Sequence, residues 1–478
     1  MLACQLARRG VKALLIDRHA GPARETRALG VHARTMEIYA QLGVVERALA
    51  LGHKGTGGNI WARGRRSARV PLGEAGSGVT PYPYVFILGQ DDNERILGER
   101  LRELGGEIRW NTELVALEQQ SDCAAATLKH PDGSTRKVEA AWVGGCDGAR
   151  SAVREMNGIG FPGAPYEHVF FVADVTATGP MVQGELNIFL WHLRFHAFFP
   201  MRGENHWRIV GILPYTLAGR KDVTFEDVLP YLRSEWSEGI EVKHCTWFST
   251  YRIHHRAAER FHAGRCFLLG DAAHIHSPVG AQGMNTGLQD AYNLGWKLAL
   301  VAQGRADPVL LDSYEAERIP VAKRLLETTD RAFQLVVSES WLAGLARTHL
   351  VARIAAFVLR FPRARRFAFR TVSQIGINYR GSNLSRNLSP LPVDAVQAGD
   401  RFPLLQFDDL HFHVVAVGQP APQVPDFGAL VQAHGVAANE KVPTGTYLLR
   451  PDGHVGLCGK NLDAEAVTRY LHEQLRLA

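Results

Sequence analysis

The sequence is poor in cysteine, with six in 478 residues, at positions 4, 123, 146, 245, 266 and 458. None forms a CxxC pair, so neither a zinc ribbon nor a disulfide scaffold is supported. That usage fits a reducing compartment, and a cytoplasmic location is expected. No apolar run is long enough to cross a bilayer. Acidic charge is in deficit, 48 Asp and Glu against 54 Lys and Arg, for a net charge of +6. The basic residues are spread along the chain except for Arg360, Arg363, Arg365, Arg366 and Arg370. No recognition motif accompanies that cluster, so it reads as a solvated face. Neither nucleic acid nor membrane is expected as a partner.

What remains is the balance of a globular protein, 46% hydrophobic and 21% charged. The length predicts two or three domains. Met1 to Arg9 reads as a helix ended by Gly10, and Val11 to Ile16 as a buried strand closed by Asp17. A helix followed by a strand with an acid at its end is the second half of a βαβ dinucleotide-binding unit. In such a unit the acid hydrogen-bonds a ribose. No strand and GxGxxG loop stand ahead of this helix. We expect the codons upstream of Met1 to supply them, and the chain as written to retain FAD weakly.

Further helices are expected over Ala28–Leu42, Arg95–Leu104 and about Gly283–Val301. Short strands are expected at 107–110, 114–117, 124–128 and 141–145, and a strand-rich aromatic segment over 161–252. Phe189, Trp191, Phe195, Phe198, Phe199 and Trp207 of that segment are taken as an apolar substrate wall. Trp341–Arg360 reads as an apolar helix too polar to span a membrane, suited to packing on a partner or a second domain. Pro390–Gly399 reads as a linker, and a terminal helix is expected over Ala464–Leu475.

The strongest chemical signal is Gly270-Asp271-Ala272-Ala273-His274-Ile275-His276-Ser277-Pro278-Val279-Gly280-Ala281-Gln282-Gly283-Met284-Asn285. A buried strand ends in Gly-Asp, a loop rich in Pro and Gly follows, and a helix begins. The acid can accept a hydrogen bond from a polyol, and the glycines let backbone approach a flat ligand. The helix start offers free amides to an anion.

These residues resemble the flavoprotein aromatic hydroxylases, the p-hydroxybenzoate and phenol hydroxylase type of monooxygenase, and most closely the phenol and polyketide hydroxylase branch. The resemblance implies an α/β fold. It has an FAD-binding Rossmann-like domain (1–160 and 255–335), an interleaved substrate-binding β-sheet domain (75–95 and 161–254), a helical connection (336–390) and a thioredoxin-like C-terminal domain (391–478). Gly270 and Asp271 match the family's GD motif, with Asp271 on the ribityl chain of FAD. Pro278, Gly280, Gln282, Gly283, Met284 and Asn285 match the loop and helix start around the isoalloxazine. Gly145-Cys146-Asp147-Gly148 matches the DG motif, with Asp147 near FAD and nicotinamide. Asp17 takes the ribose role, Arg34 matches an arginine that approaches FAD, and Gln90 resembles a glutamine on the ribityl chain. Tyr251 falls near a tyrosine that touches substrate. Leu29 stands where phenol hydroxylases carry a carboxylate, which leaves His32 as the nearest titratable candidate for ionising the phenol. Leu311–Pro320 is similar to the helix that closes the FAD core, and Thr446–Gly456 to a hairpin of the thioredoxin-like domain.

The implied reaction uses NAD(P)H, O2 and a small aromatic substrate, through a flavin C4a-hydroperoxide. A homodimer is an expectation of the resemblance and not of the sequence. No metal is expected: His254, His255, His274 and His276 have no carboxylate or cysteine at ligand spacing. Two other readings stay open. One is another FAD oxidoreductase of the same fold, a reductase or a Baeyer–Villiger-like oxygenase. The other is a flavin-deficient protein without enzymatic activity.

Overall fold

A computed structural model describes residues 1–478 except 24–27, 56, 63–64, 72–74, 192–194, 237–238, 277–279, 338–356, 359–360, 390–394, 404–406, 425–426, 428 and 478. The first helix, Leu2–Arg8, ends where Gly10 turns left-handed at φ +75°, and the Val11 amide returns to the Leu6 carbonyl. This is the closure that glycine makes cheap. The strand after it is shorter than its apolar run predicts. Only Leu15–Ile16 pairs, in parallel with Ile108–Arg109, while Leu14 stands exposed. A strand needs a neighbour as well as an apolar sequence.

The expected helix over 28–42 is divided. Gly30–Val31 is a strand beside Val85–Ile87, and the helix runs Ala33–Leu42. The second helix starts earlier than its periodicity indicates, at Gln90–Glu103, with Asp91 and Asp92 in its first turn. Val143–Gly145 and Cys266–Leu268 form a parallel pair. The long helix Gly283–Ala302 packs on the first helix. A Cβ on Gly295 would lie 2.6 Å from the Gln5 Cβ.

An eight-stranded sheet dominates the middle of the chain. Its order is His274–Ile275, Glu241–Ala257, Gly163–Thr178, His206–Ile212, Phe195–Pro200, Leu186–Leu190, Gly57–Ala62, Arg65–Pro71. The strands that join it from early in the chain are thus within 57–71. Of the segment 75–95, Val85–Ile87 pairs instead with Gly30–Val31 and His53–Gly55. The parallel contact of Leu186–Leu190 with Gly57–Ala62 spans more than a hundred residues and has no local signature.

Alternation along the strands gives this sheet two different faces. Phe171, Phe189, Phe198 and Trp207 point to one side and are buried with Phe225, Val228 and Leu232 of the helix Phe225–Glu235. Phe170, Ile212, Phe195 and Tyr251 gather on the other with Tyr166. The expected aromatic wall is corrected accordingly. Phe189, Phe198 and Trp207 are core, because the helix covers their face, and only Phe195 of that group joins the opposite cluster.

The C-terminal sheet has the order Arg386–Asn387, Val455–Gly459, Gly445–Leu449, Phe412–Val417, Val431–Val436. Arg386–Asn387 adds a short parallel edge to Val455–Gly459; the parallel pair Phe412–Val417 and Val431–Val436, the antiparallel strands Gly445–Leu449 and Val455–Gly459 and the following helix Ala464–Arg469 make the thioredoxin-like arrangement. Cys458 is buried in it, and burial pushes its thiol up to about 11. Trp296 of the long helix meets Phe412 edge-on at 5.7 Å, so this sheet shares a core with the N-terminal α/β layer. The expected helix Trp341–Arg360 lies mostly outside the described residues. Among the described residues, no helix is long and apolar enough to cross a membrane.

Candidate flavin site

Three acids stand at the carboxyl ends of parallel strands, where open α/β sheets bind ligands. Asp17 follows Leu15–Ile16, accepts from the His19 amide at 2.8 Å and remains half-buried. Asp147 follows Val143–Gly145, and Asp271 follows Cys266–Leu268. These last two strands pair in register, Gly145 opposite Leu268, so the two motifs arrive side by side from positions more than a hundred residues apart. Both residues are exposed, although the surrounding protein still raises the Asp271 carboxyl above its ordinary value against the pull of His274. Asp147 also accepts from the Val153 amide at 3.1 Å, which fixes its turn.

Glycine matters at two points here. Gly270 is left-handed (φ +59°) and touches the long helix backbone to backbone. A Cβ on the facing Gly287 would lie 3.0 Å from the Gly270 Cα. Gly280 (φ +81°) opens the turn into the helix, and Ala281 keeps a left-handed φ of +53° despite its side chain. The Gly283–Ala302 helix has no side-chain cap at its start, which leaves first-turn amides free for an anion.

Asn285 is a staple. Its Oδ1 accepts from the His32 amide (2.8 Å) and the Thr35 hydroxyl (2.7 Å). Its Nδ2 donates to the carbonyls of Gly30 (2.8 Å) and Ala281 (2.9 Å). The partners lie on the strand Gly30–Val31, the start of the helix Ala33–Leu42 and the turn before Gly283–Ala302, and the side chain is fully buried. Met284 is half-buried with its sulfur 3.0 Å from Asn93 Nδ2, and Gln282 is buried behind the turn. Gln90 Nε2 donates to Glu94 at 2.9 Å, and its Oε1 accepts from the Ala28 amide at 3.4 Å. Arg34 is buried, with Nη1 on Glu37 (3.0 Å) and Nη2 on the Asp452 carbonyl (2.6 Å), so its guanidinium is engaged with the C-terminal domain. Pro278 lies outside the described residues.

His32 lies under the turn with Nε2 2.7 Å from the Gly280 carbonyl, which assigns the proton to Nε2. Burial pushes its pKa down to about 4, against the opposing pull of that carbonyl. A neutral imidazole with one nitrogen committed is suited to holding the turn rather than to ionising a phenol. Between about pH 6.5 and 4 the unfolded chain takes up this proton and the folded chain does not, so stability falls as pH falls through that window. We expect the His32→Gln variant to lose less stability than the parent on going from pH 7 to 4, by about 3 kcal/mol. Paired denaturation curves at both pH values check this. Equal losses would contradict it.

Tyr251 lies on the sheet face opposite the helix Phe225–Glu235, its ring 6.1 Å from Phe170, and burial pushes its hydroxyl up to about 12. It is therefore a neutral phenol at physiological pH.

The sequence reading assigned no role to Asp290 or Arg318, although it singled out the GD turn they hold. Asp290 Oδ2 accepts from the Gly270 amide (3.0 Å) and meets His274 Nε2 (2.8 Å), while Oδ1 accepts from Arg318 Nε (2.6 Å). Burial works to raise its pKa, but Arg318 and His274 prevail and hold the carboxyl below its ordinary value. Arg318 continues to the Tyr379 hydroxyl at 3.0 Å, which ties the GD turn to the C-terminal half. A signal was present. Asn285, Gln289, Asn293 and Lys297 recur every four residues and are all buried, a polar stripe along an otherwise apolar helix. Conversely, Gly158-Ile159-Gly160-Phe161-Pro162-Gly163 spells GxGxxG but runs from a helix into the strand Gly163–Thr178. It opens no helix and offers no anion site.

The family described as "FAD binding domain" matches residues 1–329. The chain is 33% identical over 476 residues to the 12-dehydrotetracycline 5-monooxygenase/anhydrotetracycline 6-monooxygenase of Streptomyces rimosus subsp. rimosus, covering 95% of this chain and 92% of that protein. It is 33% identical over 475 residues to the rifampicin monooxygenase of Streptomyces venezuelae, covering 98% and 95%. Among solved structures, the anhydrotetracycline hydroxylase OxyS from Streptomyces rimosus superposes with a TM-score of 0.76 at 29% identity, over 99% of this chain and 96% of that one.

Proposed function

The chain belongs to the FAD binding domain family, and from that premise we propose that it is an FAD-dependent monooxygenase that hydroxylates a multi-ring phenolic substrate with NAD(P)H and O2. The observation that carries this reading is the paired strand ends. Asp147 and Asp271 stand exposed together beside the uncapped start of Gly283–Ala302. These residues fit a flavin nucleotide, offering carboxylates to polyol hydroxyls, glycines at the close approaches and free amides to an anionic ring edge. When bound, FAD accepts hydride from the nicotinamide and activates O2 for transfer to an electron-rich ring.

The protein's own part is to bind, orient and exclude water. On this reading Asp271 holds the ribityl chain with Gln90, Asp17 the ribose, and Asp147 the approach shared with the nicotinamide. His32 and Asn285 hold the Gly280–Ala281 turn in shape from beneath. Tyr251, kept protonated by burial, donates a hydrogen bond to a substrate oxygen. The substrate domain is the eight-stranded sheet, and the half-buried Phe195 and Tyr251 at the edge of the aromatic cluster opposite the helix Phe225–Glu235 would receive the rings. The residues 391–478 close the rear of the flavin layer through Asp452 and Arg450, and Tyr379 of the preceding connection joins them through Arg318. The large ring systems named for the relatives favour a polyketide-sized substrate over a single ring.

Incubating the holoenzyme with NAD(P)H, isotopically labelled O2 and a panel of multi-ring phenols tests the proposal. The expected product carries one labelled oxygen on the ring, formed only with the reductant. Product oxygen derived from water, or oxidation without oxygen insertion, would place the chain among the reductases and oxidases instead.

A further inference from the structure

The helix Pro362–Val372 has one face against the protein. Phe369 is buried beside Ala33, Ala75 and Ile375, and a Cβ on Gly76 would strike its ring at 2.5 Å. The opposite face carries Arg363, Arg366, Phe367 and Arg370, at the i, i+3, i+4, i+7 spacing of one helical stripe. All four are exposed, Phe367 by 75%. Just ahead, Phe357 and Phe361 are exposed by 58% and 54%, their rings edge to face at 5.4 Å. Arg363, Arg366 and Arg370 form no ion pair among the described residues. Between Glu339 and Asp394 the sequence has nine arginines and no acidic residue. The basic cluster that the sequence alone renders as a solvated face is therefore a cationic stripe with three exposed phenylalanines in and beside it.

We propose that this face docks on an anionic lipid surface, with the guanidinium groups on lipid phosphates and the phenylalanine rings at the boundary with the acyl chains. Exposed aromatics within a one-sign basic helix are the signature of an interfacial segment. A second copy is a poorer occupant, because a two-fold contact would set three arginines against three arginines with no acid between them. Nucleic acid matches the charge but not the rings. Phe357 and Phe361 pack on each other and present no pair of parallel faces for bases. The proposal concerns peripheral attachment, departs from the expectation of no membrane partner and does not depend on the identity of the substrate.

Co-sedimentation of the full chain with phosphatidylcholine vesicles, with and without about one third phosphatidylglycerol, tests it. Binding is expected only with the anionic lipid and is lost at about 0.5 M salt, where the Debye length is roughly 4 Å. Each arginine near such a surface accounts for about a fivefold change in affinity, so Arg363→Glu, Arg366→Glu and Arg370→Glu together should weaken binding at least a hundredfold. The triple lysine variant should retain binding, and Phe367→Ser should lose most of it. Unchanged thermal melting of these surface variants confirms that they fold. Equal binding to neutral vesicles, no binding to anionic ones, or an unaffected triple glutamate variant would overturn the proposal. So would a dimer abolished by Phe367→Ser without vesicle binding, or binding of a DNA oligonucleotide as tight as that of the vesicles.

Discussion

Replacing Glu317 with alanine is expected to destabilise the protein by about 3–5 kcal/mol, the range for breaking a buried ion pair from one side. For domains of this size that is a fall of roughly 10 °C in Tm. Glu317 is fully buried and accepts five hydrogen bonds. They come from Arg450 Nη1 (2.6 Å) and Nη2 (2.9 Å), Lys297 Nζ (2.8 Å), Asn293 Nδ2 (2.7 Å) and Ser382 Oγ (2.7 Å). Those donors come from the long helix, the segment after the basic helix and the C-terminal hairpin. One carboxylate therefore ties three parts of the chain together. Burial alone would raise its pKa, but Arg450 and Lys297 hold it far below the ordinary value. Its contribution is thus fully present above about pH 4.5 and is lost progressively as pH falls below that value. In the alanine variant two buried cations would face only Asp452, and burial has already lowered Lys297 to about 8. Adding Lys297→Met should restore part of the loss, because it removes one orphaned charge. Thermal and denaturant unfolding of the two variants measure this. A loss below 1 kcal/mol for Glu317→Ala would contradict the assignment.

Asp290→Ala is expected to be comparably destabilising, and its effect should reach the GD turn. The substitution strands Arg318, which has no solvent access, and frees the Gly270 amide and His274 Nε2. Asp271→Ala, one residue along the same turn, should change stability by no more than about 0.5 kcal/mol, because the residue is exposed. The pair separates a carboxylate that shapes the turn from one offered to a ligand. Hydrogen exchange of the Gly270 amide should accelerate in Asp290→Ala and stay unchanged in Asp271→Ala. Equal acceleration in both would remove the distinction.

The motifs were legible because they are local. A strand, Gly-Asp, a glycine turn and a helix start follow one another between Cys266 and Asn285. The hairpin at Thr446–Gly456 was legible for the same reason, since Pro451-Asp452-Gly453 marks its turn. Boundaries were less so. Val11–Leu14 has a strand's composition but no strand beside it among the described residues, and the 28–42 helix gives up Gly30–Val31 to pair with Val85–Ile87.

By itself the sequence determined the elements, the strand-end acids and the flavin-type turn, because each depends on residues within a few positions of one another. Only the tertiary structure decided what those residues do. Asp271 and Asp290 are both acids near the turn, yet one faces solvent and the other is bound to Arg318. Alternation shows that a strand has two sides but not which side a helix covers, so Phe198 became core while Phe195 joined Tyr251. A buried charge is stable only with its partner, and Arg450 reaches Glu317 from 133 positions away. That separation carries no local pattern, which is why the network that holds the candidate site in place emerged only with the fold.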